Sequence, residues 1–121
     1  MALILIVDDS PTELHVLQRA LELSGYRTAV ATEGGESLRL ARELQPDLIL
    51  MDIVMPGMNG YQATRALRND PSTREIPVIM VTSKGQETDR IWGLRQGAVD
   101  YLVKPVSAAQ LVEKARAVLA A

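Results

Sequence analysis

The chain has 121 residues, 13 basic and 15 acidic side chains, a formal net charge of −2 and no cysteine. This length favours one domain, which we expect to span residues 1–121 without an attached output domain. The lack of cysteine excludes disulfide scaffolds, Cys-ligated zinc and thiol nucleophiles, and the near-neutral charge argues against nucleic-acid binding. No apolar run approaches the roughly 20 residues of a membrane span, and the N-terminus lacks a signal-peptide pattern, so we expect a cytoplasmic protein.

Apolar strands alternate with helices along the sequence. Leu3–Val7 is a continuous aliphatic run, after which Ser10 and Pro11 begin a helix, with Glu13 placed to complete a capping box, and Gly25 ends that helix. The remaining predicted segments are a strand at Thr28–Ala31, a turn at Gly34–Gly35, a helix at Ser37–Leu44, a strand at Leu48–Met51, a loop at Asp52–Gly60, a helix at Ala63–Leu67, a strand at Val78–Val81, a helix at Glu87–Gln96, a strand at Val99–Val103 and a helix from Ser107 to near Leu119.

This alternation predicts parallel strands joined by right-handed helical crossovers, which is a doubly wound, three-layer α/β sandwich. Three strands, Leu3–Val7, Leu48–Met51 and Val78–Val81, are apolar on both faces, so we expect them at the centre of the sheet. The other two strands are more mixed and are expected at the edges. In such sheets, sites lie at the carboxyl ends of the central strands, and functional residues should be sought there.

Polar side chains follow four of the five predicted strands. Asp8 and Asp9 follow the first strand, Asp52 the third, Thr82 the fourth and Lys104 the fifth. Any one of them is typical of a helix cap or a polar turn. Three clustered carboxylates, however, repel one another unless a cation compensates, and Mg²⁺ is a hard cation that prefers oxygen ligands.

The predicted chemistry is transfer of a phosphoryl group, because a carboxylate beside Mg²⁺ can attack phosphorus and form an acyl phosphate. Asp52 stands alone on the middle strand and is the predicted nucleophile. Asp9 is then the main metal ligand, and Asp8 orients metal-bound water. Lys104 pairs with the transferred group, and the Thr82 hydroxyl donates to one of its oxygens.

The chain resembles response-regulator receiver domains, the phosphoacceptor modules of bacterial two-component and chemotaxis signalling. The matching segments run in order from residue 4 to residue 105: Leu-Ile-Val-Asp8-Asp9-Ser, Leu-Met-Asp52-Ile-Val-Met-Pro56-Gly-Met-Asn-Gly60, Met-Val-Thr82-Ser and Gly97-Ala-Val-Asp-Tyr101-Leu-Val-Lys104-Pro105. The resemblance implies a flavodoxin-like sheet of five parallel strands in the order 2-1-3-4-5, flanked by five helices. It also implies phosphorylation of Asp52, with Asp8 and Asp9 as the acidic pair around Mg²⁺.

The resemblance assigns further roles. The backbone carbonyl of Val54 is implied as another metal ligand. Thr82 and Tyr101 match a switch pair, in which the hydroxyl moves toward the phosphoryl group and the aromatic ring turns inward. Lys104 and Pro105 match a peptide bond that is usually cis in this family.

Two positions that vary widely in this family flank the phosphoryl group and are expected to set the lifetime of the acyl phosphate. The apolar Val54 cannot hydrogen-bond an attacking water, whereas Lys84 can reach phosphate oxygens. Our hypothesis is that Val54→Asn changes the dephosphorylation rate without abolishing phosphorylation.

The other noteworthy side chains are interpreted more simply. His15 lies off the apolar stripe of its helix and is expected in solvent. Trp92, next to the predicted core positions Ile91 and Leu94, is expected to be partly buried. The alternative is that Trp92 anchors a partner on the surface of the fourth helix, fifth strand and fifth helix, with Arg90, Leu94 and Tyr101. Six basic residues are expected on solvated helix faces: Arg65, Arg68, Arg90, Arg95, Lys114 and Arg116.

The leading functional hypothesis is a stand-alone, monomeric signalling switch whose phosphodonor is a CheA-like histidine kinase and whose targets are downstream motility proteins, without nucleic acid or membrane. The segments Asp8–Glu13, Asn59–Arg65 and Gln86–Ala98 look most like regulators of type IV pili and twitching motility. A flagellar-type chemotaxis regulator and a phosphate sink are alternatives. A Mg²⁺-dependent phosphohydrolase of the haloacid-dehalogenase type is disfavoured, because Val54 stands where that family has a second carboxylate.

Overall fold

A computed structural model describes residues 1–120, in which strands and helices alternate along the chain. The strands are β1 (Leu3–Val7), β2 (Arg27–Ala31), β3 (Leu48–Met51), β4 (Val78–Thr82) and β5 (Asp100–Val103). The helices are α1 (Pro11–Leu23), α2 (Gly34–Leu44), α3 (Gly60–Asn69), α4 (Glu87–Arg95) and α5 (Ala108–Ala120). The predicted α/β class is confirmed.

The strands form one parallel sheet in the order β2-β1-β3-β4-β5, which confirms the order that the resemblance implied. The two mixed strands are at the edges, as predicted. Helices α1 and α5 cover one face of the sheet, and α2, α3 and α4 cover the other, so the molecule has three layers. No helix in residues 1–120 is both long enough and apolar enough to cross a membrane.

Two apolar cores lie on either side of the central strands because successive side chains of a strand point to opposite faces. The core under α1 and α5 receives Ile4, Ile6, Leu48, Leu50, Ile79 and Val81. The core under α2 and α3 receives Leu5, Val7, Ile49, Met51, Val78 and Met80. Each fully buried Leu or Ile side chain contributes about 1.5–3 kcal/mol of transfer free energy, so these two layers hold the strand ends in place.

Helices α2 and α3 begin earlier than predicted. The Gly34–Gly35 pair was predicted as a turn, but it forms the first turn of α2, where Met58 packs directly on Gly34. A Cβ atom at Gly34 would lie 2.9 Å from the Met58 Cβ, so only glycine fits there. Helix α3 begins at Gly60 rather than Ala63, and a capping box between Asn59 and Gln62 starts it.

Smaller corrections concern the ends of four elements. Thr82 belongs to β4 rather than following it, because it pairs in register with Val103 of β5. Strand β5 starts at Asp100 instead of Val99, and β2 starts at Arg27 instead of Thr28, since Asp100 pairs with Ile79 and Arg27 with Leu3. Helix α4 ends at Arg95, and Gln96 is its C-cap.

Helix α4 departs most from prediction. Ile91, which was predicted in the core, is 42% exposed. The prediction that Trp92 is partly buried is confirmed, since 49% of its surface is exposed. The buried residue of this helix is Gly93, which faces the ring of Tyr101. With a glycine at the contact, the helix lies close to the sheet edge and its large apolar side chains are directed away from the core.

Candidate functional site

Three carboxylates meet at the carboxyl edge of the sheet. One oxygen from each of Asp8, Asp9 and Asp52 lies within 4.8 Å of the other two. Strands β1 and β3 are direct neighbours, and Val7 pairs with Met51 in register. The residues that follow these two positions are therefore placed side by side, as predicted from the sequence.

Lys104 follows the edge strand β5, and its side chain reaches this cluster across the end of β4. Its Nζ atom lies 2.7 Å from Asp8 Oδ2, 3.3 Å from Asp52 Oδ2 and 3.7 Å from Glu13 Oε2. The Lys104–Pro105 peptide bond is cis, as the resemblance implied. The ammonium thus supplies part of the positive charge that three neighbouring carboxylates need.

Glu13 and Ser10 show how α1 borders the site. The Ser10 hydroxyl accepts a hydrogen bond from the Glu13 N–H at 3.3 Å and caps the helix, as predicted. The Glu13 carboxylate was expected to complete a capping box, but it turns toward the Lys104 ammonium. Attraction to a half-buried cation replaces the local bond that the sequence pattern favoured.

Asp52 is held rigidly in a buried position. It is 7% exposed, and its Oδ1 atom accepts hydrogen bonds from the N–H groups of Ile53 at 2.7 Å and Val54 at 3.4 Å. Burial raises the pKa of Asp52; the Lys104 charge opposes this rise, the Asp8 charge adds to it, and hydrogen bonds of Thr82 and Lys104 lower the pKa. The carboxylate is therefore destabilised in its ionised form while its orientation is fixed.

The partners of Asp52 differ in exposure. Asp8 is 1% exposed, and its Oδ1 accepts the Ser10 N–H at 2.9 Å, whereas Asp9 is open to solvent. Burial alone would lower the pKa of Lys104, but the hydrogen bond to Asp8 and the charges of Asp52, Asp8 and Glu13 raise it. Lys104 therefore stays protonated at neutral pH.

These side chains fit a hard divalent cation. All three acidic residues offer oxygen atoms, and one of them, Asp9, is exposed, so an ion can reach the cluster from solvent. Mg²⁺ binds through one or two protein carboxylates and keeps water or phosphate oxygens as its other ligands. The single Lys104 ammonium does not neutralise three carboxylates, so the remaining negative charge attracts a divalent cation.

The residues after β4 are arranged around a buried hydroxyl. Thr82 has no exposed surface, and its Oγ1 accepts the Lys84 N–H at 3.4 Å. The Lys84 ammonium lies 3.8 Å from Asp89 Oδ1 at the start of α4 and forms its ion pair there. Val54, the other residue expected to set a lifetime, is 56% exposed directly beside Asp52.

Tyr101 is turned into the protein. It is 6% exposed, and its hydroxyl donates a hydrogen bond of 2.6 Å to the Lys84 carbonyl. Burial raises the pKa of Tyr101, so the hydroxyl remains protonated and able to donate. The ring thereby ties β5 to the loop between β4 and α4.

The four residues expected to form a partner surface do not share one exposed face. Tyr101 is buried, Leu94 is half-buried and Arg90 is exposed. Trp92 is exposed but contacts Tyr61 of α3, with ring centroids 6.5 Å apart in an edge-to-face arrangement. Trp92 therefore belongs to the side of α4 that faces α3.

Sequence reasoning missed the structural role of Gly60. Its N–H donates a 2.9 Å hydrogen bond to the Ile53 carbonyl, and a Cβ at this position would lie 2.8 Å from the Ile53 Cα. Only glycine allows α3 to begin this close to the Asp52 loop. The signal was present in the sequence, because Asn59 and Gln62 around Gly60 have the spacing of a capping box.

Arg68 was predicted on a solvated helix face, which is wrong. It is half-buried, and its guanidinium donates to the carbonyls of Gly97 at 3.1 Å and Arg74 at 2.9 Å. Burial lowers the pKa of Arg68 from its ordinary value. The expectation that His15 is exposed is confirmed.

Comparisons with known proteins agree on one family. The profile described as "Response regulator receiver domain" matches residues 4–116. Protein PilH of Pseudomonas aeruginosa is 58% identical over 120 residues, which cover 99% of each chain. Among solved structures, chemotaxis protein CheY4 of Vibrio cholerae is 30% identical with a TM-score of 0.92 and 98% of each chain covered.

A further solved structure bears on the acidic cluster. The receiver domain of sensor histidine kinase PA1611 from Pseudomonas aeruginosa is 33% identical, with a TM-score of 0.92, over 99% of this chain and 98% of that one. That structure has a magnesium ion coordinated in its active site cleft.

Proposed function

Because the chain belongs to the response regulator receiver domain family, we propose that it is a switch that accepts a phosphoryl group on Asp52 from a histidine kinase. The observation that carries this proposal is the arrangement of a buried Asp52 carboxylate beside Asp8, Asp9 and the Lys104 ammonium. Phosphorylation then changes the population of two conformations and so changes affinity for partners.

The proposed transfer is a single displacement at phosphorus. An Asp52 oxygen attacks the phosphoryl group of a phosphohistidine, the new P–O bond forms as the P–N bond breaks, and the imidazole leaves with that electron pair. The Ile53 and Val54 N–H groups hold the attacking carboxylate in one orientation. The Lys104 ammonium neutralises negative charge on the phosphoryl oxygens.

We propose that Asp8, Asp9, Asp52 and the Val54 carbonyl hold Mg²⁺. When bound, the ion supplies positive charge that offsets the charge of the phosphoryl oxygens. The oxygen-only donor set and the mutual proximity of the three carboxylates support this assignment.

The proposed switch runs through the loop between β4 and α4. Thr82 lies at the end of β4, and its hydroxyl is the group expected to turn toward a phosphoryl group on Asp52. Such a movement breaks the hydrogen bond that the Lys84 N–H donates to Thr82 Oγ1. The backbone carbonyl of Lys84 in turn accepts a hydrogen bond from the Tyr101 hydroxyl. Phosphorylation would therefore be transmitted to α4 through Lys84 and Tyr101.

The pathway we propose is control of type IV pili and twitching motility, with a CheA-like kinase as phosphodonor and motility proteins as targets. The 58% identity to Protein PilH over nearly the full length of both chains supports it. The flagellar-type regulator and the phosphate sink remain alternatives, and the 30% identity to CheY4 is the observation that favours the first of these. Because histidine kinases take phosphate from ATP, we propose that the protein acts in the cytoplasm. We propose separately that it acts as a monomer.

The test is phosphotransfer from a panel of purified histidine kinases with Mg²⁺ present. We expect the wild type and the control Asp47→Asn, changed at the opposite edge of the sheet, to take up one phosphoryl group per chain. Asp52→Asn should take up none, and the wild type should take up none when EDTA removes Mg²⁺. Labelling that survives Asp52→Asn would refute the site, and repeated turnover of a small phosphate ester would support a phosphohydrolase instead.

The lifetime of the acyl phosphate offers a second test at Val54. This side chain is exposed beside Asp52, so Val54→Asn places a hydrogen-bonding group where an attacking water must approach. We expect phosphorylation to persist and the decay rate to change by about fivefold, as expected for a new hydrogen bond of roughly 1 kcal/mol. Decay of labelled protein, followed over time, gives the rate, and an unchanged rate would contradict the assignment.

A further inference from the structure

A groove separates α3 from α4 on the side of the molecule away from α1 and α5. It has a volume of about 430 Å³ and is lined by Asn59, Tyr61, Gln62, Arg65, Trp92 and Gln96. We call it the α3–α4 groove. It contains the only tryptophan of the chain, and half of the surface of that side chain is exposed. A large aromatic residue left this open is typical of residues that anchor partners.

The groove is formed in the free protein. The Tyr61 hydroxyl of α3 donates a hydrogen bond to the Asp89 carbonyl of α4 at 3.2 Å. One turn further along α3, Arg65 donates to the side-chain carbonyl of the buried Gln96 at 3.1 Å. These two bonds join the walls, so a ligand would not have to order them, and less entropy is lost on binding.

The charge of the groove is positive. Helix α3 (Gly60–Asn69) contains Arg65 and Arg68 and no acidic residue, although the whole chain has a net charge of −2. The Arg65 guanidinium contacts the neutral amide of Gln96, and within residues 1–120 it has no carboxylate within 4.0 Å. The Asp89 carboxylate of α4 is engaged by the Gln86 N–H and the Lys84 ammonium. Arg65 therefore presents a cation without a counter-ion beside an aromatic surface.

We propose that the α3–α4 groove binds an acidic peptide segment of a partner protein, with an apolar or aromatic side chain packed on Trp92 and a carboxylate paired with Arg65. The carboxamide oxygens of Asn59 and Gln62 are engaged in the capping box, which leaves their amide NH₂ groups to donate to carbonyls of the peptide backbone. A peptide fits better than a small molecule because the groove is open to solvent along its length. Small ligands usually bury roughly 70–90% of their surface.

This inference does not rest on phosphorylation of Asp52, and it is tested on the unphosphorylated full chain. Random peptides of about 12 residues, long enough to lie along both helices, are displayed and selected against the immobilised protein. Peptides without tryptophan are then titrated while the emission of Trp92, the only tryptophan, is followed. We expect acidic residues on either side of an apolar residue to be enriched, and Trp92 emission to shift on binding.

Charge reversal at Arg65 decides between this inference and general adhesion. Arg65→Glu should weaken binding by about tenfold or more, as expected for loss of a charge-assisted contact. Arg116→Glu on α5 is the matched control and should leave the affinity for the peptide within about twofold. Dissolved salt screens the interaction between the peptide and a surface charge that lies outside the groove. Circular dichroism verifies the fold of both variants.

Three results would overturn the proposal. The first is selection that enriches no peptide or enriches peptides without an acidic bias. The second is equal binding to Arg65→Glu and to the Arg116→Glu control. The third is concentration-dependent self-association that buries Trp92, which would make a second copy of the chain the occupant.

Discussion

Helices α3 and α4 follow adjacent strands and leave the same edge of the sheet, yet they are attached to the core very differently. Four of the ten residues of α3 are buried, whereas Gly93 is the buried residue among the nine of α4. A capping box and the Gly60 N–H bond to Ile53 also fix the start of α3. Helix α4 rests on the Tyr101 ring through Gly93 and is bound to α3 by the Tyr61 hydroxyl.

This difference separates two tasks. Helix α3 fixes the loop that carries Asp52, so the orientation of that carboxylate does not depend on what happens elsewhere. Helix α4 can shift while exposing little new apolar surface, because little of its own surface is buried. An element that moves at low cost is the one expected to carry a change of state.

The largest effect that distinguishes the two helices should come from truncating one aliphatic side chain in each. Leu67→Ala in α3 removes a side chain that is 1% exposed, and we expect it to lower the free energy of unfolding by about 3 kcal/mol. Ile91→Ala in α4 removes one that is 42% exposed and should change it by less than about 0.5 kcal/mol. Urea denaturation measures both. Equal losses would mean that α4 is packed as firmly as α3.

A glycine in each helix gives the second comparison. Gly60→Ala places a Cβ 2.8 Å from backbone that cannot move aside, and we expect a loss of about 2 kcal/mol or more. Gly93→Ala places a Cβ 3.2 Å from the Tyr101 ring, which can shift, and alanine favours a helix by about 1 kcal/mol. Its net effect on stability should be within about 1 kcal/mol. Thermal unfolding of the two variants would show the comparison to be wrong if Gly60→Ala were the milder change.

The loop before α3 carries the destabilising charge of Asp52. Removing this charge should change the free energy of unfolding by less than the glycine substitutions do, because Lys104 offsets part of the charge. Burial raises the pKa of Asp52 in the folded protein, so the ionised carboxylate lowers stability at pH 7. Asp52→Asn should therefore be more stable than the wild type at pH 7. This gain should shrink as the pH falls through the raised pKa, and vanish below the pKa of the unfolded chain.

Urea midpoints of wild type and Asp52→Asn, measured with EDTA from about pH 7 to pH 3.5, test that expectation against the ordinary pKa of aspartate. The exposed Glu113→Gln on α5 serves as control and should give no comparable gain. A stability difference that grows on acidification would have the wrong sign for a raised pKa.

The smallest expected effect is local to α4. Tyr61→Phe removes the hydrogen bond to the Asp89 carbonyl, which contributes about 0.5–1 kcal/mol, and leaves the ring in place. Amide hydrogen exchange should become faster in α4 and stay unchanged in α3. Equal acceleration in both helices would show that they open as one unit.

The sequence was sufficient for the sheet and for the acidic cluster. Aliphatic runs at Leu3–Val7, Leu48–Met51 and Val78–Val81 identify the central strands, because strands covered on both faces have no polar alternation. Once those strands are neighbours, the register alone brings Asp8 and Asp52 together. These predictions rest on local patterns and on few possible topologies.

The orientation of α4 and the contacts of long basic side chains were beyond such patterns. Ile91, Trp92 and Leu94 are apolar neighbours without a single stripe, and which of them faces inward depends on Gly93 packing against Tyr101. Arg68 donates a hydrogen bond to the carbonyl of Gly97, 29 residues away in the chain. The sequence around Arg68 therefore contains no pattern that predicts its burial. Tertiary contacts decide both features.

The bond between Lys104 and Asp8 joins residues 96 positions apart in the chain. During synthesis the three aspartates leave the ribosome long before the lysine, and a chain that ends before β5 lacks the ammonium that offsets their mutual repulsion. The proposed phosphoacceptor is therefore complete only when the last strand has docked. An incomplete or locally unfolded chain would accept a phosphoryl group poorly, so phosphorylation would be restricted to fully folded molecules.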